Sequence, residues 1–145
     1  MLVQSVLTIN SAAREIRDIS ADIQAVVAQS GIVSGLCHVF CHHTSASLML
    51  CENADPAVLD DMESFMKRLV PENGVDYTHA DEGPDDMPAH IRTVLSHTDL
   101  TLPVTDGRCA LGTWQGVYLW EHRANPHQRR LTLTVSGEKK PVDLC

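Results

Sequence analysis

The clearest element of this sequence is a helix, predicted for Asp55-Pro-Ala-Val-Leu-Asp-Asp-Met-Glu-Ser-Phe-Met-Lys-Arg-Leu69. Asp55 is a typical capping residue, a proline suits the first helical position, and Pro71 ends the helix. Its apolar residues recur at helical spacing: Val58, Met62, Phe65, Met66 and Leu69. We expect this stripe to pack in the core, because charged side chains cover the opposite side of the helix.

Alternating apolar and polar residues predict strands on both sides of this helix. The predicted strands are 2–9, 35–42, 48–51, 99–104, 114–122 and 130–136. In the second strand the alternate residues Cys37, Val39 and Cys41 are predicted to face the core. His43 continues this row and emerges at the end of the strand. We expect a turn at residues 10–11.

Two shorter helices complete the predicted elements. The first has Ser20 as its cap and stops at Gly31, a residue that tolerates the left-handed conformation of a helix end. The second starts at Pro88, and its spacing predicts that Val94 and Leu95 face inward together with Ile91.

The order of these elements indicates the fold class. Strands flank two or three helices without regular β-α-β alternation, which is typical of an α+β protein with a largely antiparallel sheet. Residues 12–19 fit either a helix or the partner strand of a hairpin. A length of 145 residues with 43% hydrophobic content suits one domain, so we expect residues 1–145 to form a single domain.

Composition narrows the classes of function. A net charge of -8 argues against non-specific nucleic-acid binding, which needs a basic surface. The five cysteines form no CxxC pair and lie mostly in apolar runs, which indicates a reduced, cytoplasmic protein. No signal peptide and no membrane-length apolar run is evident, so we expect no membrane association.

A segment rich in acids and histidines follows the long helix: His79-Ala-Asp-Glu-Gly-Pro-Asp-Asp-Met-Pro-Ala-His90. It places four carboxylates and two imidazoles within twelve residues. Two imidazoles, a third ligand from elsewhere and an open position would form a catalytic zinc site, whereas the carboxylates would suit Mg²⁺. The alternative is a solvated turn in which Asp85 and Asp86 cap the following helix.

A second candidate segment begins at His43, at the end of a predicted strand. The hydroxyl residues Thr44, Ser45 and Ser47 follow it. This composition offers a metal ligand or base together with donors for phosphate. An ordinary turn held by hydroxyl side chains is the alternative.

A third candidate segment is Leu111-Gly-Thr-Trp-Gln-Gly116, which continues to Glu121-His122-Arg123. Two glycines around Thr-Trp-Gln indicate close backbone approach to a ligand or a neighbouring chain. The alternative is ordinary sheet packing of the aromatic residues. The main cationic candidates for an anion are Arg123, Arg129 and Arg130.

Together these segments resemble the YjbQ-like family, also called the secondary thiamine-phosphate synthase family. The matching segments are 43–47, 52–56, 82–90, 111–116, 121–123 and 136–138. The resemblance implies a compact sandwich of largely antiparallel sheet that assembles as a homotrimer, and it favours a strand over residues 12–19. It also implies a site near a subunit boundary, in which some members carry a metal. That site gathers His43, His79, His90, Gln115, Glu121 and His122.

The activity attached to the family name joins a pyrimidine methyl diphosphate to a thiazole phosphate and releases diphosphate, as a secondary activity. We therefore expect an enzyme that acts on a phosphorylated small molecule with a divalent metal, either zinc or magnesium. Catalysis would consist of charge neutralisation and positioning. A metal-dependent hydrolase and a trimeric metal- or metabolite-binding protein without turnover are the alternatives.

Each candidate residue has an expected role in this hypothesis. The expected metal ligands are His43, His79 and His90. Glu121 or His122 would transfer a proton, and Gln115 would belong to the same catalytic group. The expected phosphate contacts are Thr44, Ser45, Thr113 and Arg123.

Overall fold

Residues 1–141 are described by the computed structural model. In chain order their elements are β1 (Leu2–Ser11), β2 (Ile16–Asp18), α1 (Ser20–Ser30), β3 (Ile32–Cys41), β4 (Ala46–Glu52), α2 (Pro56–Leu69), α3 (Asp86–Leu95), β5 (Asp99–Thr105), β6 (Arg108–Cys109), β7 (Gln115–Glu121) and β8 (His127–Lys139). All six predicted strands are confirmed, and β8 is longer at both ends than its alternation indicates.

The strands form two sheets in an α+β fold. The larger sheet has the order β1-β8-β3-β5-β6, and the smaller sheet has the order β2-β7-β4. Every recorded strand pair is antiparallel, as the absence of β-α-β alternation predicts. In β2, Ile16 pairs with Trp120 of β7, so residues 12–19 do contain a strand.

The main core lies between the two sheets and beneath α1. Leu119 of β7 belongs to the same buried cluster as Leu131 of β8 and Val27 of α1. A second apolar cluster lies on the opposite face of the smaller sheet, where Met66 of α2 joins Trp120. Strand β7 is therefore buried on both faces, and it carries its last residues into the interior.

Helix α2 confirms the predicted cap but buries fewer residues than predicted. The Asp55 carboxylate accepts a hydrogen bond from the Ala57 backbone N–H at 3.0 Å. Met66 is buried, whereas Phe65 and Leu69 remain 55% and 54% exposed. The prediction that the whole stripe enters the core is wrong, because α2 covers only the narrow three-stranded sheet and contacts it along one line.

Helix α3 begins at Asp86, before Pro88. The predicted inward orientation is confirmed for Ile91, which is half-buried against the second apolar cluster, but it is wrong for Val94 and Leu95. Val94 and Leu95 are 83% and 57% exposed. The buried face instead contains Arg92, whose guanidinium donates to the Glu63 carboxylate of α2 at 2.8 Å. The contact between Arg92 and Glu63, together with the buried Ala89 and the half-buried Ile91, thus orients α3.

Two local predictions near the N-terminus are also corrected. Ser20 does not cap α1, because its hydroxyl accepts a hydrogen bond from the Val117 N–H of β7 at 2.9 Å. Residues 10–11 are not a turn but the end of β1, where Ser11 pairs with His127. The Ser11 side chain is buried, and its hydroxyl donates a hydrogen bond to the Glu121 carboxylate at 2.5 Å.

None of the helices in residues 1–141 combines the length and apolar character required to cross a bilayer. The free thiols in this range are Cys37, Cys41, Cys51 and Cys109. Cys145, the remaining cysteine of the sequence, lies outside the described residues.

Candidate functional site

His79, Asp86 and His90 meet at the start of α3. Asp86 and His90 are four residues apart, so they share one face of the helix, and the preceding loop returns His79 to the same point. Asp86 Oδ2 lies 2.7 Å from His79 Nε2 and 3.3 Å from His90 Nε2. The two imidazole centroids are 5.3 Å apart. One ligand atom from each residue lies within 4.8 Å of the others, which is close enough to bind one metal ion.

The tautomer of His90 is fixed by a backbone carbonyl. His90 Nδ1 lies 2.9 Å from the Thr44 carbonyl oxygen, which can only accept a hydrogen bond. Nδ1 must therefore carry the proton, and in the neutral ring Nε2 presents its lone pair to Asp86. Because Nε2 and the carboxylate oxygen are then both acceptors, a proton or a cation is needed between them.

Arg123 occupies the other side of the acidic pair. Its Nη1 lies 3.0 Å from Asp86 Oδ1, and its Nε donates to Asp85 Oδ2 at 2.9 Å. Burial alone would raise the pKa of both carboxyl groups, but hydrogen bonds from the Ala124 N–H and Arg123 lower that of Asp85. His79 and Arg123 likewise lower the pKa of Asp86.

Asp85 occupies the N-cap position of α3, as the alternative interpretation expects, but neither its side chain nor that of Asp86 makes a capping hydrogen bond. Asp85 accepts from the Arg123 guanidinium and the Ala124 N–H instead. Asp86 divides its oxygens, since Oδ1 faces Arg123 and Oδ2 faces the two histidines. Arg123 therefore orients Asp86 so that one oxygen stays directed at the imidazoles.

The donor set suits a borderline metal ion better than a hard one. Two nitrogen ligands and one carboxylate oxygen match zinc and related transition metals, whereas magnesium prefers oxygen throughout. Three protein ligands also leave coordination positions for water or substrate, as in catalytic zinc sites. His79 is 54% exposed, so the cluster is accessible from solvent.

Each histidine of the cluster lines a different cavity. His79 borders a cavity of about 350 Å³ together with Asp76 and Tyr77 of the preceding loop. His90 borders another cavity of about 350 Å³ together with His43 and Thr44. A ligand bound at the cluster could therefore extend in either direction.

His43, the predicted third ligand, is not part of this cluster. Its Nε2 accepts the backbone N–H of Arg130 at 2.8 Å, which occupies that nitrogen. Burial and the nearby Arg129 guanidinium lower the pKa of His43, so the neutral ring is favoured. Asp86 takes the third position in the geometry, and its spacing of four residues from His90 was the sequence signal that could have identified it.

Glu121, a predicted proton-transfer residue, is enclosed in a buried ion pair. Its carboxylate accepts Arg129 Nε at 2.7 Å and Nη2 at 2.5 Å, with Ser11 Oγ also at 2.5 Å. It is completely buried, and Arg129 is 4% exposed. Burial would raise the pKa of Glu121, but the bonds from Arg129 and Ser11 outweigh it and lower the pKa. Contact between Glu121 and a substrate would require these bonds to break.

His122, the other predicted proton-transfer residue, is also inaccessible, at 1% exposure. Its Nε2 lies 2.8 Å from the Ser47 hydroxyl, while its Nδ1 has no hydrogen-bond partner among residues 1–141. Burial, together with the Arg92 and Arg129 charges, lowers the pKa of His122 to about 3. The ring is therefore neutral near pH 7 and contributes to packing.

The predicted phosphate contacts do not come together in the chain. Ser45 is buried, and its hydroxyl and carbonyl oxygens both accept hydrogen bonds from Arg129 Nη2. The Arg123 guanidinium already forms ion pairs with Asp85 and Asp86. Gln115 lies at the opposite end of β7 from Glu121, about 20 Å away at ~3.3 Å per residue, and Thr113 precedes it. Thr44 alone lines a cavity beside the histidine cluster.

Comparisons of the sequence with known proteins identify its family. The family model described as UPF0047 protein YjbQ-like matches residues 5–138. The UPF0047 protein sll1880 of Synechocystis sp. is 53% identical over 93% of this chain and 92% of its own length. The UPF0047 protein YjbQ of Escherichia coli O157:H7 is 45% identical over 95% of this chain and all of its own length.

Solved structures show the same architecture. A YbjQ-like protein of Sulfolobus solfataricus P2 has a TM-score of 0.87 and 23% identity, covering 95% of this chain and 99% of its own. A YjbQ/UPF0047 family protein of Clostridium acetobutylicum has a TM-score of 0.83 and 29% identity, covering 91% of this chain and 99% of its own. The chain belongs to the UPF0047 family of YjbQ-like proteins.

Proposed function

We propose that this protein is a divalent-metal enzyme that acts on a phosphorylated small molecule. His79, Asp86 and His90 would hold the metal, and zinc fits the donor set best. The observation that carries the proposal is the contact between His90 Nε2 and Asp86 Oδ2, two acceptors at 3.3 Å whose arrangement is fixed by Thr44 and Arg123.

A bound metal would supply positive charge to a phosphate or diphosphate group. The arginines near the site cannot take this role easily, because Arg123 contacts Asp85 and Asp86, and Arg129 contacts Glu121. The chain's own contribution is to orient the ligands. Thr44 keeps Nδ1 of His90 protonated, and Arg123 directs one oxygen of Asp86 toward the imidazoles.

The reaction implied by the resemblance is one specific form of this function. There the thiazole nitrogen forms a bond to the pyrimidine methylene carbon as the carbon–oxygen bond to diphosphate breaks. Neutralisation of the departing diphosphate is the main requirement, and no nucleophilic side chain is needed. Metal-dependent hydrolysis of a phosphoester would use the same ligands and is the second candidate, since the site is open to solvent at His79.

We also propose that the protein is a cytoplasmic homotrimer in which a neighbouring subunit completes the site. Gln115 and Thr113 lie at the far end of β7 from Glu121, so a second copy would have to bring them near the histidines. Several large apolar side chains are exposed and suit burial in an interface: Phe65, Leu69, Val94, Leu95 and Trp114. Light scattering during size-exclusion chromatography would give the mass, and a monomer would contradict the trimer.

The first experiment measures metal content and zinc affinity for wild type and for a His79→Ala/His90→Ala double variant. Wild type should bind one zinc per chain, and the double variant should lose this binding. His38→Ala/His42→Ala is the matched control. His38 lies on β3 and contacts Asp99, and His42 directly follows β3 and contacts Thr132, so neither belongs to the cluster. Equal metal content in the site variant and wild type would contradict the ligand assignment.

The second experiment assays turnover of the metal-loaded protein. The two thiamine precursors and a panel of phosphoesters should be compared with and without a chelator. Product formation that depends on both metal and His90 supports the enzyme. Metal binding without turnover on any compound would contradict the enzyme and favour a metal- or metabolite-binding protein.

A further inference from the structure

We propose that Glu121 and Arg129 are positioning residues that fix the imidazole of His90 and the carboxylate of Asp86 from the protein interior. The predicted effect of these two residues on metal affinity rests on the proposed function. Their predicted effect on the His90 imidazole does not depend on that function. Two chains of hydrogen bonds connect the buried pair to the two ligands.

The first chain runs through the segment after β3. Arg129 Nη2 donates to the Ser45 carbonyl at 3.2 Å and to the Ser45 hydroxyl at 3.0 Å. The preceding carbonyl, that of Thr44, accepts Nδ1–H of His90 at 2.9 Å. Arg129 therefore fixes Ser45, the residue directly after the Thr44 carbonyl that selects the His90 tautomer.

The second chain runs along the backbone after β7. Glu121 Oε2 accepts the Arg123 backbone N–H at 3.1 Å. The Arg123 side chain then contacts Asp85 and Asp86, where Nη1 lies 3.0 Å from Asp86 Oδ1. Glu121 thus fixes the residue that orients Asp86.

The hydrogen bonds of Glu121 suit this role and oppose direct catalysis. Its two oxygens accept four donors: Ser11 Oγ, Arg129 Nε, Arg129 Nη2 and the Arg123 N–H. All four come from the interior of the fold, and no oxygen is left free for a substrate. A saturated, completely buried carboxylate next to two site anchors is typical of a positioning group.

The test uses Arg129→Lys, which keeps the charge that Glu121 needs but lacks the planar fork that also reaches Ser45. The control is Leu133→Ala, a core cavity variant on the same strand that should lower stability without touching the site. The readout is the tautomer of His90, measured from imidazole ¹⁵N shifts in metal-free protein. The measurement is made at a pH at which the ¹⁵N shifts themselves report a neutral His90 ring.

Wild type and Leu133→Ala should show the Nδ1–H tautomer of His90, and Arg129→Lys should shift toward Nε2–H. Zinc affinity should fall about 10- to 100-fold in Arg129→Lys and stay unchanged in Leu133→Ala. A folded Arg129→Lys with the wild-type tautomer and affinity would overturn the proposal. So would a wild-type His90 that is not Nδ1-protonated.

If Arg129→Lys does not fold, Ser45→Ala replaces it, because that variant removes one of the two acceptors and leaves the ion pair intact. It should give a smaller shift in the same direction, and an unchanged tautomer would overturn the proposal. Absence of zinc binding in wild type would contradict the proposed function. The tautomer measurement would then still decide the positioning role.

Discussion

Glu121 and Asp86 are both buried carboxylates that contact Arg123, yet their oxygens face different groups. Glu121 meets only donors, with Arg129 and Ser11 at distances of 2.5 to 2.7 Å. Asp86 meets a donor at Oδ1, and its Oδ2 lies 2.7 Å from His79 Nε2. The same Oδ2 also faces His90 Nε2 at 3.3 Å, which Thr44 leaves without a proton in the neutral ring. The first carboxylate meets donors alone. The second also faces an acceptor, and that contact becomes favourable only when a proton or cation is added.

This difference shows why burial and charge alone do not identify a functional carboxylate. Both acids have a lowered pKa, because hydrogen bonds to the charged form outweigh burial in each case. The distinguishing feature is the identity of the facing atoms. Donors on every side make Glu121 a structural anchor, whereas an acceptor on one side makes Asp86 the candidate metal ligand of the pair.

The largest expected effect is on stability and concerns Glu121. Glu121→Ala should lower the free energy of unfolding by about 3–5 kcal/mol, because it leaves the Arg129 charge buried without a partner. Asp86→Ala should lose less, about 1–3 kcal/mol, since Arg123 keeps Asp85. Urea denaturation near pH 7 measures both. A loss in Glu121→Ala no greater than that in Asp86→Ala would contradict the comparison.

A smaller effect concerns the interior near Glu121 and depends on pH. The folded-state pKa of His122 is about 3, below the ordinary value of about 6.5, so between these values the unfolded chain binds the extra proton. Stability should therefore fall as pH falls, by about 1.4 kcal/mol per pH unit from this residue. Unfolding measured from about pH 6.5 to 4.5 should give a smaller slope for His122→Gln than for wild type.

The control for this slope is His97→Gln, which removes a histidine whose side chain is exposed. It should keep the wild-type slope between the same pH values. Equal slopes in wild type and His122→Gln would show that His122 is protonated in the folded protein, contrary to its enclosed position.

Much of the fold follows from local patterns in the sequence. Alternation identified the six main strands, and Asp55 with Pro56 identified the start of α2. Which helix faces become buried could not be predicted in the same way. Phe65 and Val94 stay exposed because the width of the sheet below and the Arg92–Glu63 contact decide the orientation of the helices.

The candidate site was only partly predictable, because its contacts are long-range. His79 and His90 stand out by composition, but a helix-cap interpretation concealed Asp86. The bond between His43 and the Arg130 backbone depends on how the chain after β3 meets β8, 87 residues away. The partners of Glu121 come from β1 and β8, so a sequence pattern in β7 could not show that it is enclosed.

Zinc titration of wild type, Asp86→Asn and Asp85→Asn tests the central claim most directly. The two acids are adjacent and both contact Arg123, but Asp86 alone of the pair lies beside His79 and His90. Asp86→Asn should weaken zinc binding at least about 100-fold, above the effect of losing a group that only orients a ligand, and Asp85→Asn should weaken it about tenfold or less. Equal losses in the two variants, or unchanged affinity in Asp86→Asn, would contradict a metal site at His79, Asp86 and His90.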